Sequence, residues 1–324
     1  MKKSIFGIVL VLAALIAVVA WLVNNGLREL PGEKLFKYAP ETVKGSVYIR
    51  PGEIYGSRFV QALTEKSEIA NESAMAGVRN VAELCDGMLI SIDDDMDGDI
   101  LLATSKPFDE VVPGLLAVDK KSCEKVEYNG KPAYRDSDGD YHVELESGVI
   151  LLNVRKDEVL PEKKSELSTA LREKLAAVPP EAKAFFFGRS ELPPLPGVVN
   201  PSTADFKGVL KFGENDELVV LADASGLSDQ EGGLIATLPT LARTMLLNPN
   251  MSGVNQEQLA LASDLFDAVQ IDYRKGSGTA TLEVVIPTEL AERMVEASRK
   301  ELDRRRKALV PPESTAVKNQ VNAK

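Results

Sequence analysis

One run of acidic residues has the spacing of a calcium loop. Its carboxylates are Asp93, Asp95, Asp97 and Asp99. Oxygen ligands at alternate positions, with a glycine such as Gly98 at the sharp turn, are what a hard cation like Ca²⁺ requires. The twelfth position of this loop, however, is Thr104, which has no carboxylate to bind the ion through two oxygens.

The same run also has the composition of a β-hairpin turn. Asp-Gly between two strand-like segments is a strong hairpin signal. A related stretch later in the chain has Arg274-Lys275-Gly276-Ser277-Gly278 at the matching place, which contains no carboxylate. We therefore favour a hairpin turn, with a weak Ca²⁺ site at Asp93, Asp95, Asp97 and Asp99 as the alternative. No other cofactor is predicted.

A second acidic stretch, Asp136-Ser137-Asp138-Gly139-Asp140, also lies between two strand-like runs. Tyr141 occupies the place where a calcium loop has glycine. This stretch is predicted to be another hairpin turn.

Cysteine and histidine are too few for most catalytic or metal sites. Cys85 and Cys123 are widely spaced, so neither Cys-x-x-Cys redox chemistry nor structural zinc is indicated. They allow a disulfide in an oxidising compartment, but Cys85 falls at an apolar position of the repeat described next, which favours two buried thiols. His142, the only histidine, lies in an alternating strand. No catalytic residue is predicted, and we expect the protein not to be an enzyme.

The elements around the first acidic run occur twice in related form. One copy runs from residue 84 through Gly98 to Pro107, and the other from residue 265 through Gly278 to Pro287. Each predicts a strand, a tight turn, a second strand and a helix that begins next to its proline. Similar strands, 47–50 and 185–187, precede the two copies, so the pattern indicates a duplicated unit.

The whole pattern predicts an α+β fold. We expect two related, mostly antiparallel sheet units with helices packed on one face, of split or ferredoxin-like character. The predicted boundaries are a juxtamembrane linker at 25–38, a first unit with extra hairpins at 39–177, a second unit at 178–310 and a disordered tail at 311–324. The two units could form separate domains or share one sheet.

The N-terminus contains an apolar segment of membrane-spanning length. Ile5 to Val23 is free of charged residues and follows Lys2 and Lys3. Nineteen helical residues extend roughly 28 Å, close to the thickness of the bilayer core. Lysines on the N-terminal side favour retention of that end in the cytoplasm. We predict a transmembrane signal-anchor at 1–24, favoured over a cleaved signal peptide because the apolar stretch is long and Trp21 suits an interface.

The net charge of the protein excludes some classes of binding partner. The protein has 49 acidic and 38 basic residues, a formal net charge of −11. Nucleic acid and anionic lipid both require a basic surface, so nucleic acid is not an expected partner. The predicted location is the inner (cytoplasmic) membrane, single-pass, with the C-terminal part extracytoplasmic.

This layout resembles the uncharacterised single-span envelope proteins of bacteria that carry a duplicated α+β ectodomain. The resemblance rests on Lys2, Lys3, the span Ile5–Val23, and the opening Ala39-Pro40-Glu41 before Val47-Tyr48-Ile49-Arg50-Pro51. It implies no activity and no catalytic residue.

Three functions follow as hypotheses. The first is a non-catalytic, membrane-tethered binding or scaffolding protein of the cell envelope with an unknown protein partner. An apolar stripe could form its contact surface, although core packing is the preferred interpretation of these residues: Leu234, Ile235, Leu238, Leu241, Met245 and Leu246. The alternatives are a weak Ca²⁺-binding envelope module and an extracytoplasmic hydrolase built from scattered carboxylates.

Overall fold

The computed structural model describes residues 32–39, 44–66, 72–92, 98–118, 120–192, 198, 201–246 and 256–309. Within these residues the chain is α+β, as predicted. The strands are β1 Gly45–Ile49, β2 Gly87–Ile92, β3 Gly98–Ala103, β4 Cys123–Tyr128, β5 Lys131–Asp136, β6 Tyr141–Glu146, β7 Val149–Val154, β8 Ala184–Glu191, β9 Thr203–Phe212, β10 Leu218–Ser225, β11 Val269–Tyr273 and β12 Thr279–Ile286. The helices are α1 Gly32–Phe36, α2 Pro51–Tyr55, α3 Arg58–Lys66, α4 Glu72–Leu84, α5 Phe108–Val118, α6 Thr169–Ala176, α7 Asp229–Leu246, α8 Gln256–Asp267 and α9 Thr288–Leu309.

The described strands form a single antiparallel sheet. Their order across the sheet is β11-β12-β10-β9-β8-β1-β2-β3-β7-β6-β5-β4. Of the two arrangements left open by the sequence, the continuous sheet is therefore the one adopted. The predicted halves of the chain meet where β1 pairs with β8, from Gly45 opposite Gly188 to Ile49 opposite Ala184.

The two predicted hairpin–helix copies are both present. β2 and β3 pair directly and lead into α5, and β11 and β12 pair directly and lead into α9. In each copy the proline carbonyl accepts a first-turn hydrogen bond, from the Val111 amide to Pro107 and from the Ala291 amide to Pro287. Proline suits this position because its fixed φ matches a helix and its missing N–H is not needed there.

The strands beside these hairpins also follow one pattern. The order outward from the first hairpin is β2-β3-β7-β6-β5, and from the second it is β11-β12-β10-β9-β8. The three added strands follow the first hairpin in sequence but precede the second. By position in the sheet, β8 therefore corresponds to β5, although sequence similarity pairs β8 with β1.

The sheet has two faces that can be assigned from register, because directly opposed residues point to the same side. We call the front face the one that carries Tyr48, Phe185, Val209 and Leu221, which follow one another across β1, β8, β9 and β10. The back face carries the alternating residues, Ile49 among them.

Helices pack on both faces, so the expectation of a single helical layer is wrong. Phe36 of α1 stacks on Phe185 and Phe187 of the front face. On the back face, Gly232 of α7 lies so close to Tyr273 that an added Cβ would stand 2.1 Å from the ring. The physical reason is the burial of the central strands on both sides: every residue of β2 except Ile92 is buried, which requires cover above and below.

The predicted anchor lies outside the described residues, as do the tail 311–324 and residues 25–31 of the linker. Within the described part of the chain, no helix combines the length and apolar character needed to cross a bilayer.

Candidate functional site

The front face is buried and apolar in the first half of the sheet, whereas it carries exposed polar residues in the second half. In the first half it carries the fully buried Leu89 and Leu101. In the second half the corresponding positions hold exposed polar residues: Asp205, Lys207, Asp272, Thr281 and Glu283. An uncovered sheet face thus begins at β9, and its border with the covered half is the place where a ligand could contact both apolar and charged groups.

A groove of about 720 Å³ runs along this border. Cavities of this size are typical of ligand-binding sites in proteins. We call it the α6 groove. Its helical wall consists of Ala170, Glu173, Lys174, Ala177 and Val178, and its floor includes Phe185, Phe187, Lys207, Val209, Leu221 and Asp223.

Helix α6 is fixed by local sequence signals. The hydroxyl of Ser168 caps its first turn by accepting a hydrogen bond from the Leu171 amide at 3.4 Å. Leu171 and Leu175 pack against the core. Ala170, Lys174 and Ala177 share the adjacent helical face because residues three and four apart lie side by side, and this face borders the groove.

Charges of both signs surround an aromatic floor. The ammonium of Lys174 lies 5.3 Å from the centroid of the Phe187 ring, within the range of a cation–π interaction. Farther along the floor, Lys207 pairs with Asp223 at 3.3 Å. The ring of Phe187 also stacks on Phe36, at 5.5 Å between centroids. One end of a buried aromatic cluster therefore opens into the groove.

The second acidic stretch forms the predicted hairpin turn, between β5 and β6. Asp136 is buried, and its Oδ1 accepts hydrogen bonds from the amides of Asp138 and Asp140. Its other oxygen accepts a 3.0 Å hydrogen bond from the ammonium of Lys121, which also reaches Asp138 at 2.6 Å. Lys121 thus occupies the position between two carboxylates where a cation would sit.

His142 lies behind this turn, with 3% of its surface exposed. Its Nδ1 faces the amide of Asn153, and its Nε2 is 3.6 Å from Asp136. Burial lowers the pKa of the imidazole, against the attraction of Asp136. For Asp136, burial raises the carboxyl pKa but the hydrogen bonds from Lys121 and two amides outweigh it, so the pKa is lowered. A carboxylate held in its charged form in this way is a poor general acid.

Replacing Lys121 by Met is expected to lower the free energy of unfolding by about 1–3 kcal/mol, since the buried Asp136 loses its cation. The control is Lys120→Met, which removes an equal charge from the neighbouring residue and should have little effect on the free energy of unfolding. Urea denaturation of both variants, followed by far-UV circular dichroism, measures the difference. Equal stabilities would contradict a structural role for Lys121.

The first acidic run is only partly described. Asp93, Asp95 and Asp97 lie outside the described residues, within the link between β2 and β3. Asp99 is half-buried in β3, opposite Ser91. The two strands pair antiparallel up to Ile92 opposite Gly98. Whether the acidic run binds Ca²⁺ stays a prediction; in the described part of the chain no group of three potential metal-ligating side chains comes together.

The two cysteines are free, as favoured over a disulfide. Cys85 is buried, and burial raises the pKa of its thiol to about 12. Phe266, its counterpart in the second copy, is also buried. Cys123 is half-buried, and burial followed by the charge of Asp136 raises the pKa of its thiol. These shifts disfavour the thiolate form that nucleophilic chemistry requires.

The apolar stripe of α7 is only partly covered. Leu238 is 37% exposed and Leu241 is 47% exposed, whereas Leu234 and Ile235 are half-buried. Core packing therefore accounts for part of the stripe. Helix α7 continues through Pro239.

Comparisons of the chain with models of known protein families, with curated proteins and with solved structures found no match. The α6 groove was not predicted from the sequence, because its lining comes from five separate elements, α6, β8, β9, β10 and β12. Local signals indicate two of these elements: Ser168 caps α6, and β9 has an alternating pattern. They do not indicate that the two elements lie side by side.

Proposed function

We propose that this protein is a membrane-tethered, extracytoplasmic binding protein of the cell envelope, non-catalytic, which holds a segment of another polypeptide in the α6 groove. The apolar span Ile5–Val23 supports the tether, with the body outside the cytoplasm. In this proposal the span remains in the inner membrane, and the two related halves of the sheet form one rigid platform.

The observation that carries the proposal is the border between the covered and uncovered halves of the front face. Phe187, Val209 and Leu221 are half-buried there, so each retains surface that a ligand would remove from water. Burial of apolar surface contributes about 25 cal/mol per Å². Exposed charged residues lie next to these side chains on the same face, which suits a ligand with both apolar and polar groups.

A polypeptide segment fits this lining better than anionic lipid or nucleic acid does. The net charge of −11 disfavours anionic lipid and nucleic acid. An extended peptide alternates its side chains, so one set can contact the apolar floor while the other set and the backbone meet the charged residues.

The test is selection of binding peptides by the full-length protein in a nonionic detergent, using a displayed dodecapeptide library. Ala170→Trp fills the groove from the helical wall, and Ala176→Trp adds the same ring on an exposed part of α6 that does not line it. We expect selected peptides to bind the wild type and Ala176→Trp alike and to lose at least tenfold in affinity with Ala170→Trp. Selection that yields no peptide, or peptides indifferent to Ala170→Trp, would reject the proposal.

A further inference from the structure

A lysine of the protein itself, Lys174, occupies a place in the α6 groove that would suit a cationic group of a ligand. Lys174 lies over the exposed side of Phe187. Its side chain lines the groove and makes no hydrogen bond or ion pair to a carboxylate within the described residues. The ammonium is therefore held there chiefly by the ring, and it can leave without breaking an ion pair.

Apart from Lys174, the lining of the groove carries three carboxylates and one ammonium group, that of Lys207, which lies opposite Phe187 in the strand register. Glu173 of α6 and Asp205 of β9 both line the groove and are exposed. Asp205 has Arg189 only at 4.0 Å, the outer limit of an ion pair. Asp223 is paired with Lys207. An aromatic face with carboxylates nearby is the usual arrangement of a protein site for an organic cation.

We propose that the peptide segment bound in the α6 groove carries a lysine or arginine whose cationic group replaces Lys174 on the Phe187 ring. This inference rests on the proposed function and adds the chemistry of its ligand. The acidic body of the protein, with its net charge of −11, would also attract a basic segment over a distance.

The experiment compares each selected peptide with a copy in which lysine and arginine are replaced by norleucine. Full-length protein in nonionic detergent and fluorescein-labelled peptides give affinities by anisotropy. We expect the norleucine copies to bind about three- to thirtyfold more weakly, and the basic peptides to weaken as salt is raised.

Two protein variants locate the effect. Lys174→Met removes the competing ammonium and should tighten binding of the basic peptides about two- to fivefold. Lys156→Met, an equal charge change outside the groove, should leave the affinity within twofold. Phe187→Leu retains an apolar floor but should abolish the preference for the basic peptide over its norleucine copy. Glu173→Gln, at an exposed position, should reduce this preference without affecting folding.

The outcomes separate the two proposals. Peptides that lose affinity with Ala170→Trp but bind equally well as norleucine copies overturn the cationic ligand and leave the proposed function intact. Failure to obtain any groove-dependent peptide rejects the proposed function itself. An affinity that is unchanged by Lys174→Met also overturns the replacement of Lys174.

Discussion

Replacing Glu231 by Gln is expected to lower the free energy of unfolding by roughly 3 kcal/mol. The side chain of Glu231 has no exposed surface. Its Oε1 accepts a hydrogen bond from the Ser202 amide at 2.6 Å, and its Oε2 accepts from the Ser202 hydroxyl at 2.7 Å and from the Ser228 amide at 2.8 Å. The side chain of glutamine has one acceptor oxygen and one NH₂ donor in place of the two carboxylate oxygens. Its NH₂ group must therefore face some of the groups that donate to Glu231, and these donors are left unpaired in the interior.

Glu231 also closes the first turn of α7. The Ser228 hydroxyl accepts from the Glu231 amide at 3.3 Å, while the carboxylate accepts from the Ser228 amide, which is a reciprocal capping box. The same carboxylate fastens the helix to Ser202, just before β9. One substitution therefore removes a helix cap and a tertiary link together.

The effect has a defined pH dependence. The hydrogen bond from the Ser228 hydroxyl, followed by that from the Ser202 amide, lowers the pKa of Glu231 from 4.5 to about 2. Because the folded pKa lies below the unfolded one, the stabilisation is complete above about pH 4.5 and is lost as the pH falls toward 2. Urea titrations of the wild type and of Glu231→Gln should show a smaller difference in the free energy of unfolding at pH 3 than at pH 7.

The control is Glu214→Gln, the same chemical change at an exposed position in the β9–β10 turn. It should alter stability by less than about 0.5 kcal/mol. A Glu231→Gln protein as stable as this control at pH 7 would show that the buried carboxylate is not required.

Replacing Gly148 by Ala is expected to destabilise the protein by about 3 kcal/mol or more, whereas Gly130→Ala should cost about 1–2 kcal/mol. Both glycines lie in hairpin turns with positive φ, +72° at Gly148 and +76° at Gly130. A Cβ at either position meets the left-handed backbone penalty. Comparing the two separates this penalty from packing.

Packing differs sharply between the two turns. A Cβ at Gly148 would stand 2.4 Å from the carbonyl oxygen of Thr104, whereas a Cβ at Gly130 has no atom within 4 Å. Thr104 cannot move freely, because its amide donates to the Gly148 carbonyl and its hydroxyl donates to the Leu84 carbonyl at 2.7 Å. Thermal and urea unfolding of both variants measures the gap. Equal losses of stability in the two variants would mean that the backbone at Thr104 moves away from the added Cβ without an energetic cost.

Short-range patterns were enough to predict much of the fold. Asp-Gly and Gly-Ser-Gly turns between alternating runs indicated both hairpins, and Pro107 and Pro287 indicated the helices that follow. The Ser228-x-x-Glu231 capping box is an equally local signal, and it indicates the start of α7 at Asp229. Ser168 is a further local signal, since its side chain caps the helix α6 that begins at Thr169.

Long-range arrangement was less accessible to sequence reasoning. The similarity of 47–50 to 185–187 indicated equivalent strands, whereas these strands are neighbours in the sheet. Strand pairing depends on which edges meet, and that is set by helices and loops far from either strand. The α6 groove combines residues 170–178, 185–187, 205–209, 221–225 and 279, so no local motif could indicate it.

The pairing of β1 with β8 has a consequence for how the chain reaches its native state. The residues joined there are about 140 positions apart, whereas the strands within each half connect through much shorter segments. Each half can therefore assemble early, while this closure carries a large entropic cost and comes late. Until it forms, β1 and β8 present unpaired backbone amides and carbonyls, so crowding of nascent chains would favour exchange of strands between molecules at this seam.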